Sequence, residues 1–340
     1  MTSGPGVLGS GVDAVGDAVT AFFLCTDRAE RHRLYAELAR SGPVHRVVLP
    51  HGEPAWLVTG YQQARAALTD PRLGMTEPPF GQELAPELRA AVNHSMLNVD
   101  APRHTRLRRL VMSAFTRRRV ETLAPRVQRL TDELLTPLDG ATGFDLIAEF
   151  AYPLPVAVIC ELLGVPPDGR ESFRKWSWAD VNASVLGLEA YAEAAGEFVD
   201  YLRVLIAAKR ACPGDDLVSA LVAARDESDQ LSEETFELAG TVVRAGDLVL
   251  AGLLAANRDP ATVPDAHMLD VARAPGPHLA FGHGAHFCLG APLARLEAQT
   301  ALRSLLARFP DLRLAVAPEH VESSPGLLMN GLEALPVTRG

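Results

Sequence analysis

Apolar and charged residues recur at helical spacing from Ala29 to Arg40, and Ser41-Gly42-Pro43 ends that run. Two β-rich runs follow, Val44–Leu49 and Ala55–Thr59. They flank His51-Gly52-Glu53-Pro54, which reads as a hairpin turn, and Tyr61–Leu68 returns to a helical pattern. His45 and His51 read as surface residues. At Asp100-Ala101-Pro102 the pattern predicts another helix start, with Asp100 as N-cap and Pro102 in the first turn. The basic amphipathic run then continues to Thr116. Phe150 to Pro166 is apolar enough for a core helix, and helical spacing resumes over Tyr191–Lys209 and Asp215–Arg225. Glu237–Leu250 reads as strand, turn, strand. Leu289, Leu293, Leu296, Thr300 and Leu305 mark a last helix. The expected class is mainly α with small β-sheets.

Composition narrows the partners more than the fold. With 340 residues and 48% apolar content the chain can bury a substantial core. Its 25 Pro and 27 Gly are scattered rather than gathered into a linker, so one domain over 1–340 is expected. The 42 acidic residues exceed the 32 basic ones, giving a formal charge of −10 that repels phosphate backbones and argues against nucleic acid. The stretch from Met1 to Asp17 has no basic region followed by an apolar run, and no apolar stretch reaches the ~20 residues that cross a bilayer. Cys25, Cys160, Cys212 and Cys288 are widely spaced and suit a reducing cytoplasm. Cys160 lies among apolar residues and reads as packing.

Cys288 is different. It falls in Phe281-Gly282-His283-Gly284-Ala285-His286-Phe287-Cys288-Leu289-Gly290, just before the last helix, so its sulfur is expected at a helix N-terminus. Exposed N–H groups and the helix dipole stabilise negative charge there, and a thiolate is the form that ligates a metal or attacks a substrate. The glycines allow tight turns and close approach to something flat or bulky. Three uses fit these residues: holding haem iron, a redox or nucleophilic cysteine, or plain entry into a helix.

The full spacing, Phe-Gly-x-Gly-x-His-x-Cys-x-Gly followed by Ala291-Pro292-Leu293-Ala294-Arg295, resembles the haem-ligand loop of soluble bacterial cytochromes P450. That resemblance implies a P450-like fold and haem b as cofactor. It makes Cys288 the axial thiolate ligand of the iron, which pushes electron density toward O–O cleavage. It also implies that His286 reaches a haem propionate, that Phe281 packs beside the sulfur, and that Gly282, Gly284 and Gly290 give the macrocycle clearance. Asp100-x-Pro102-x-His104-Thr105-x-Leu107-Arg108 resembles a second signature of that family, whose His and Arg hold a propionate. His104 and Arg108 are four residues apart on one helical face, a spacing from which both can grip a carboxylate. Arg103, Arg106, Arg109 and Arg117, Arg118 and Arg119 are either a basic patch for an acidic ferredoxin-type electron donor or an ordinary charged surface. Phe173, Trp176 and Trp178 fall in the family's lid region, as pocket walls or as core.

One block of the resemblance is missing. After Leu231-Ser232-Glu233-Glu234-Thr235 the family's long distal helix does not follow, and neither does its Glu-x-x-Arg helix; the seam of the deletion falls near 235–237. Ala239-Gly240-Thr241 lacks the acid of the distal relay motif. Glu171 and Arg174 have Glu-x-x-Arg spacing but lie too early in the chain. A helix of ~20 residues spans about 30 Å, so its loss obliges the neighbours to repack or to be covered by another protein, or else leaves a poorly folded relic. Two functions from different classes follow. The first is a haem-thiolate monooxygenase acting on a small apolar substrate. The second is a catalytically degenerate accessory protein whose open apolar face stabilises a partner such as a glycosyltransferase.

Overall fold

The computed structural model describes residues 25–49, 52–75, 83–93, 95–181, 186–223, 236–238, 241–324 and 331–339. In chain order the main elements run from α1 (Arg28–Ser41), β1 (Val44–Val48), β2 (Pro54–Val58), α2 (Tyr61–Ala67) and α3 (Pro86–Asn93) to α4 (Arg103–Ala114), α5 (Arg117–Thr122) and α6 (Ala124–Leu135). Next come β3 (Gly143–Asp145), α7 (Pro153–Leu163), α8 (Arg170–Val181), α9 (Leu188–Ala211) and α10 (Leu217–Ala223). The last stretch holds β4 (Phe236–Leu238), β5 (Thr241–Val243), β6 (Leu248–Ala251), α11 (Leu253–Ala256), α12 (Ala291–Arg308), β7 (Leu312–Leu314) and β8 (Pro336–Arg339). The chain is mainly helical with small sheets, as the pattern predicts. It divides into two compact units.

One unit comprises Met1–Leu73, Glu233–Phe287 and Pro325–Asn330. Asp27 opens α1 by accepting the Glu30 N–H at 3.0 Å, and Gly42 ends it at φ 132°. The sheet has the order β1-β2-β6, with β1 antiparallel and β6 parallel to β2. Alternation along β2 sorts its side chains. Ala55 and Leu57 join Leu38, Val47 and Leu49 on one face, whereas Val58 joins Tyr61, Ala64, Ala67, Val243, Ala256 and Leu279 on the other.

The second unit comprises Gly74–Ser232, Cys288–Ser324 and Gly331–Gly340. Its core gathers Val127, Leu130 and Leu135 of α6, Leu154, Val158 and Leu162 of α7, and Leu293 and Leu305 of α12. The other side of α7 presents Val156 and Cys160 to Phe173, Leu205 and Val218. Packing on two sides is why this helix is apolar nearly all round. A sheet of order β3-β8-β7 sits in the same unit.

Several expectations are corrected. His45 is buried, its Nε2 at 3.1 Å from Thr59 Oγ1, because β1 turns that side chain under the chain leaving β2. His51 lies outside the described residues. Asp100 does not cap α4 with its side chain. Its Oδ2 accepts the Met75 N–H at 2.7 Å, and its carbonyl takes the His104 N–H. The segment 237–250 is not one hairpin. β5 pairs with β4, while β6 leaves after the Arg244–Asp247 turn to extend the β1-β2 sheet. The helix expected over Asp215–Arg225 is described only from Leu217 to Ala223. Asp216 precedes it, accepting the Ser219 N–H at 2.8 Å.

Candidate functional site

The loop that carries Cys288 is divided at Phe287 between the two units. On the first side, Gly282 and Gly284 both have φ near +70° (72° and 71°), a conformation that costs other residues about 1–2 kcal/mol. Gly284 is also pressed against the end of α2. A Cβ there would stand 2.5 Å from the Leu68 carbonyl oxygen and 2.9 Å from Thr69 Cγ2. At Gly282 a Cβ would meet only the His286 carbonyl oxygen, at 3.8 Å. Phe281 is half-buried, its ring centroid 5.9 Å from that of His278. His286 closes a single 3-10 turn, Gly284–His286, and is half-buried.

Three contacts that the sequence did not disclose hold this part of the loop. The Leu279 N–H donates to Asn257 Oδ1 at 2.6 Å, Asp259 Oδ2 accepts the Tyr61 N–H at the head of α2 (2.8 Å), and Arg65 Nε donates to His283 Nε2 at 3.2 Å. Asp259 and Tyr61 are 198 positions apart, and Arg65 and His283 are 218 apart. No local pattern signals pairs that distant.

On the other side, Cys288 is exposed and in no disulfide. Gly290 is the N-cap of α12, Pro292 lies in its first turn, and the Ala291 N–H reaches back to the Cys288 carbonyl at 3.3 Å. A Cβ on Gly290 would lie 3.7 Å from Cys288 Sγ, so the sulfur rests over a bare α-carbon at the head of the 18-residue helix. That is the placement expected from the spacing. In the same unit His104 is buried (3% exposed) and Arg108 half-buried, one turn apart on α4. Of the basic residues on α4 and α5, Arg117 pairs with Glu121 at 2.9 Å and Arg119 with Asp215 at 2.7 Å, so those two positive charges are offset within the chain.

Other residues separate into structural roles. Burial pushes the Cys160 thiol up to about 11, which makes it inert at neutral pH. Phe173 and Trp176 are core residues of α8, and Trp176 donates its indole N–H to Glu197 at 2.8 Å, whereas Trp178 is exposed. Glu171 and Arg174 form an exposed ion pair on α8. Thr241 begins a strand and is on no helix.

Comparison with known proteins gives these features a context. The family model described as Cytochrome P450 matches residues 230–333. Cytochrome P450 107B1 of Saccharopolyspora erythraea is 38% identical over 92% of this chain and 95% of its own length. The cytochrome P450 monooxygenase PikC of Streptomyces venezuelae is 40% identical over 91% of each chain. Among solved structures, the Bacillus subtilis cytochrome P450 PksS superposes with a TM-score of 0.80 at 32% identity, covering 91% of this chain and 97% of that one. P450BioI, in complex with a fatty-acid-bearing acyl carrier protein, gives 0.85 at 27% identity, covering 95% and 100%.

Fold and relatives together define a haem-dependent oxidoreductase of mainly helical build. The chain belongs to the cytochrome P450 family.

It is an internally shortened member. The alignment with the Saccharopolyspora relative runs over 389 residues, more than the 340 available here, while reaching 92% of this chain, so the gaps fall inside it. Only 224–235 separate α10 from β4, too few for a helix of ~20 residues.

Haem is the cofactor of this family, and the residues present fit it. Gly290 leaves the flank of the sulfur bare, Gly282 has room where a Cβ would stand, and Cys288 offers one accessible soft donor. No helix among the described residues is long and apolar enough to cross a membrane.

Proposed function

We propose that this chain is a bacterial haem-thiolate monooxygenase that hydroxylates a small apolar substrate with O2, taking electrons from a ferredoxin-type donor. The observation that carries this reading is Cys288, a free and exposed sulfur set over Gly290 at the head of α12. When bound, haem supplies the activation of dioxygen, and everything else falls to the chain. The Cys288 sulfur, as thiolate, would hold the iron and supply electron density to it, and the helix N-terminus beside it favours that charge. Gly282, Gly284 and Gly290 would admit the macrocycle, and Phe281 would pack beside the sulfur. His104, Arg108 and His286 would hold the propionates through charge-assisted hydrogen bonds. The exposed arginines of α4 and α5, Arg109 and Arg118 among them, form the face that an acidic donor meets. Both units belong, in this reading, to one P450-like domain in the cytoplasm.

The relatives suggest the substrate class. One is named as a mycinamicin IV hydroxylase/epoxidase and another as a polyketide biosynthesis cytochrome P450, so a small natural product is the substrate this reading assigns. No catalytic acid is assigned, because the 224–235 interval between α10 and β4 is too short for the ~20-residue distal helix that would carry one. A specific observation favours a second reading, the accessory protein. Leu302 and Leu306 of α12 are 57% and 59% exposed, an apolar stripe suited to a partner protein such as a glycosyltransferase.

The test is spectroscopic. The protein expressed with haem supply, reduced and treated with carbon monoxide, is expected to give the strongly red-shifted Soret band of a thiolate complex. Cys288→Ala is expected to abolish that band. A band that survives the substitution removes Cys288 as ligand, and absence of haem uptake by the unaltered chain leaves the accessory reading.

A further inference from the structure

Between β2 and the cysteine loop, α2 is fastened at both ends. At its head the Tyr61 N–H is held by Asp259, whose neighbour Asn257 holds the Leu279 N–H two residues before Phe281. At its tail, Gly284 is seated against the Leu68 carbonyl. One side of α2 is committed to the core through Tyr61, Ala64 and Ala67. Arg65 lies on the opposite, exposed side, and its Nε donates to His283 Nε2 at 3.2 Å. An imidazole that accepts at Nε2 carries its proton on Nδ1, so this bond also fixes the tautomer of His283.

We infer that Arg65 is a positioning residue for the cysteine loop: its guanidinium, acting through His283, holds Phe281–Phe287 in the conformation that the glycines permit. The loop needs such a tie. Gly282 and Gly284 have more conformational freedom than any other residue type, and a loop turned by two of them gains its shape only from what it touches. Gly284 meets α2 through backbone, which sets how close the loop comes. Arg65 meets it through a directed hydrogen bond, which sets its rotation. This role extends the proposed ligation by Cys288 and rests on it, because a displaced loop would reach the sulfur through the chain that joins them.

Two readouts on the purified protein test the inference. Arg65→Ala is expected to speed amide hydrogen exchange across residues 281–287 about fivefold, the effect of losing roughly one net hydrogen bond. The global unfolding midpoint is expected to stay within error, since Arg65 is exposed. His283→Ala should do the same, with no further increase in the double variant, and Arg65→Lys, which keeps a cationic donor, should restore most of the protection. In the reduced carbon monoxide complex, Arg65→Ala is expected to lower the share of the red-shifted band at unchanged haem content. Unchanged exchange in Arg65→Ala, or effects that simply add in the double variant, would overturn the role. Cys288→Ala separates the two readings: it should abolish the band yet leave the Arg65 effect on exchange intact. A wild-type protein without the band but with that exchange effect loses the ligand assignment and keeps the tie.

Discussion

Helices α7 and α12 belong to the same core, yet they are covered differently. α7 turns Leu154, Val158 and Leu162 to α6 and α12, and Val156 and Cys160 to a second cluster, and of its large apolar residues Ile159 alone is exposed. α12 buries Leu293 and Leu305, but about 100° further round the helix it shows Leu302 and Leu306 to solvent. An apolar stripe of that kind records a neighbour. The family alignments run longer than this chain and place the missing length internally. We read α12 as a helix whose sequence still encodes contacts that the shortened chain no longer supplies.

Adjacent leucines break the comparison most sharply. Leu305→Ala is expected to cost about 2–5 kcal/mol, because its buried side chain leaves a cavity against Val127 and Phe309 of the same cluster. Leu154→Ala on α7 should cost a similar amount. Leu306→Ala, one residue further on, should stay within about 0.5 kcal/mol. Denaturant unfolding checks all three. Equal losses at 305 and 306 would show that the outer stripe is covered in solution.

The buried stripe of α12 also contains a carboxyl. Glu297 lies midway in the series Leu293, Glu297, Ala301, Leu305, and burial alone raises its pKa from 4.5 to about 7. The native state therefore binds more protons than the unfolded chain between those values. Its stability is fully expressed below about pH 4.5 and falls as pH rises through about 7. A shift of that size corresponds to at most about 3 kcal/mol. Glu297→Gln is expected to stabilise the protein at pH 8 by up to that amount and to approach wild type below about pH 4. An advantage that does not depend on pH would point to packing instead of charge.

What the sequence revealed follows the range of the interactions. The runs of α1, α2, α7 and α9 are legible because each helix is amphipathic or apolar over its own length. The loop at Cys288 is legible because its glycines, histidine and cysteine are consecutive. The pairing of β6 with β2 was not, since both are short β-rich runs and nothing in either names its partner across the chain. His45 looked like a surface residue because a lone histidine in a strand does not reveal Thr59 beneath it. Asp100 reads as a cap because an Asp just ahead of a helix with proline in its first turn is a common N-cap. Here Met75 competes for the same oxygen, and Gly74 leaves it room, since a Cβ there would be 2.9 Å from Asp100 Oδ2. Arg65 and Asn257 were invisible for the same reason as β6: their partners lie in the cysteine loop or just before it, remote in sequence from both.

The smallest effect sharpens the comparison furthest. Leu302→Lys with Leu306→Lys places two cations on the exposed stripe of α12, where lysine stems lie along apolar surface and keep the charges in water. The unfolding free energy should change by less than about 0.5 kcal/mol per site. Retention on a hydrophobic matrix and concentration-dependent association should both fall, because these are the properties that an uncovered apolar stripe confers. A destabilisation of several kcal/mol would instead require desolvation of the new charges. That would mean another part of the chain packs over α12 in solution, and that the shortened protein has rebuilt its own cover. The double lysine variant therefore distinguishes an open face, on which the accessory reading depends, from a repacked core.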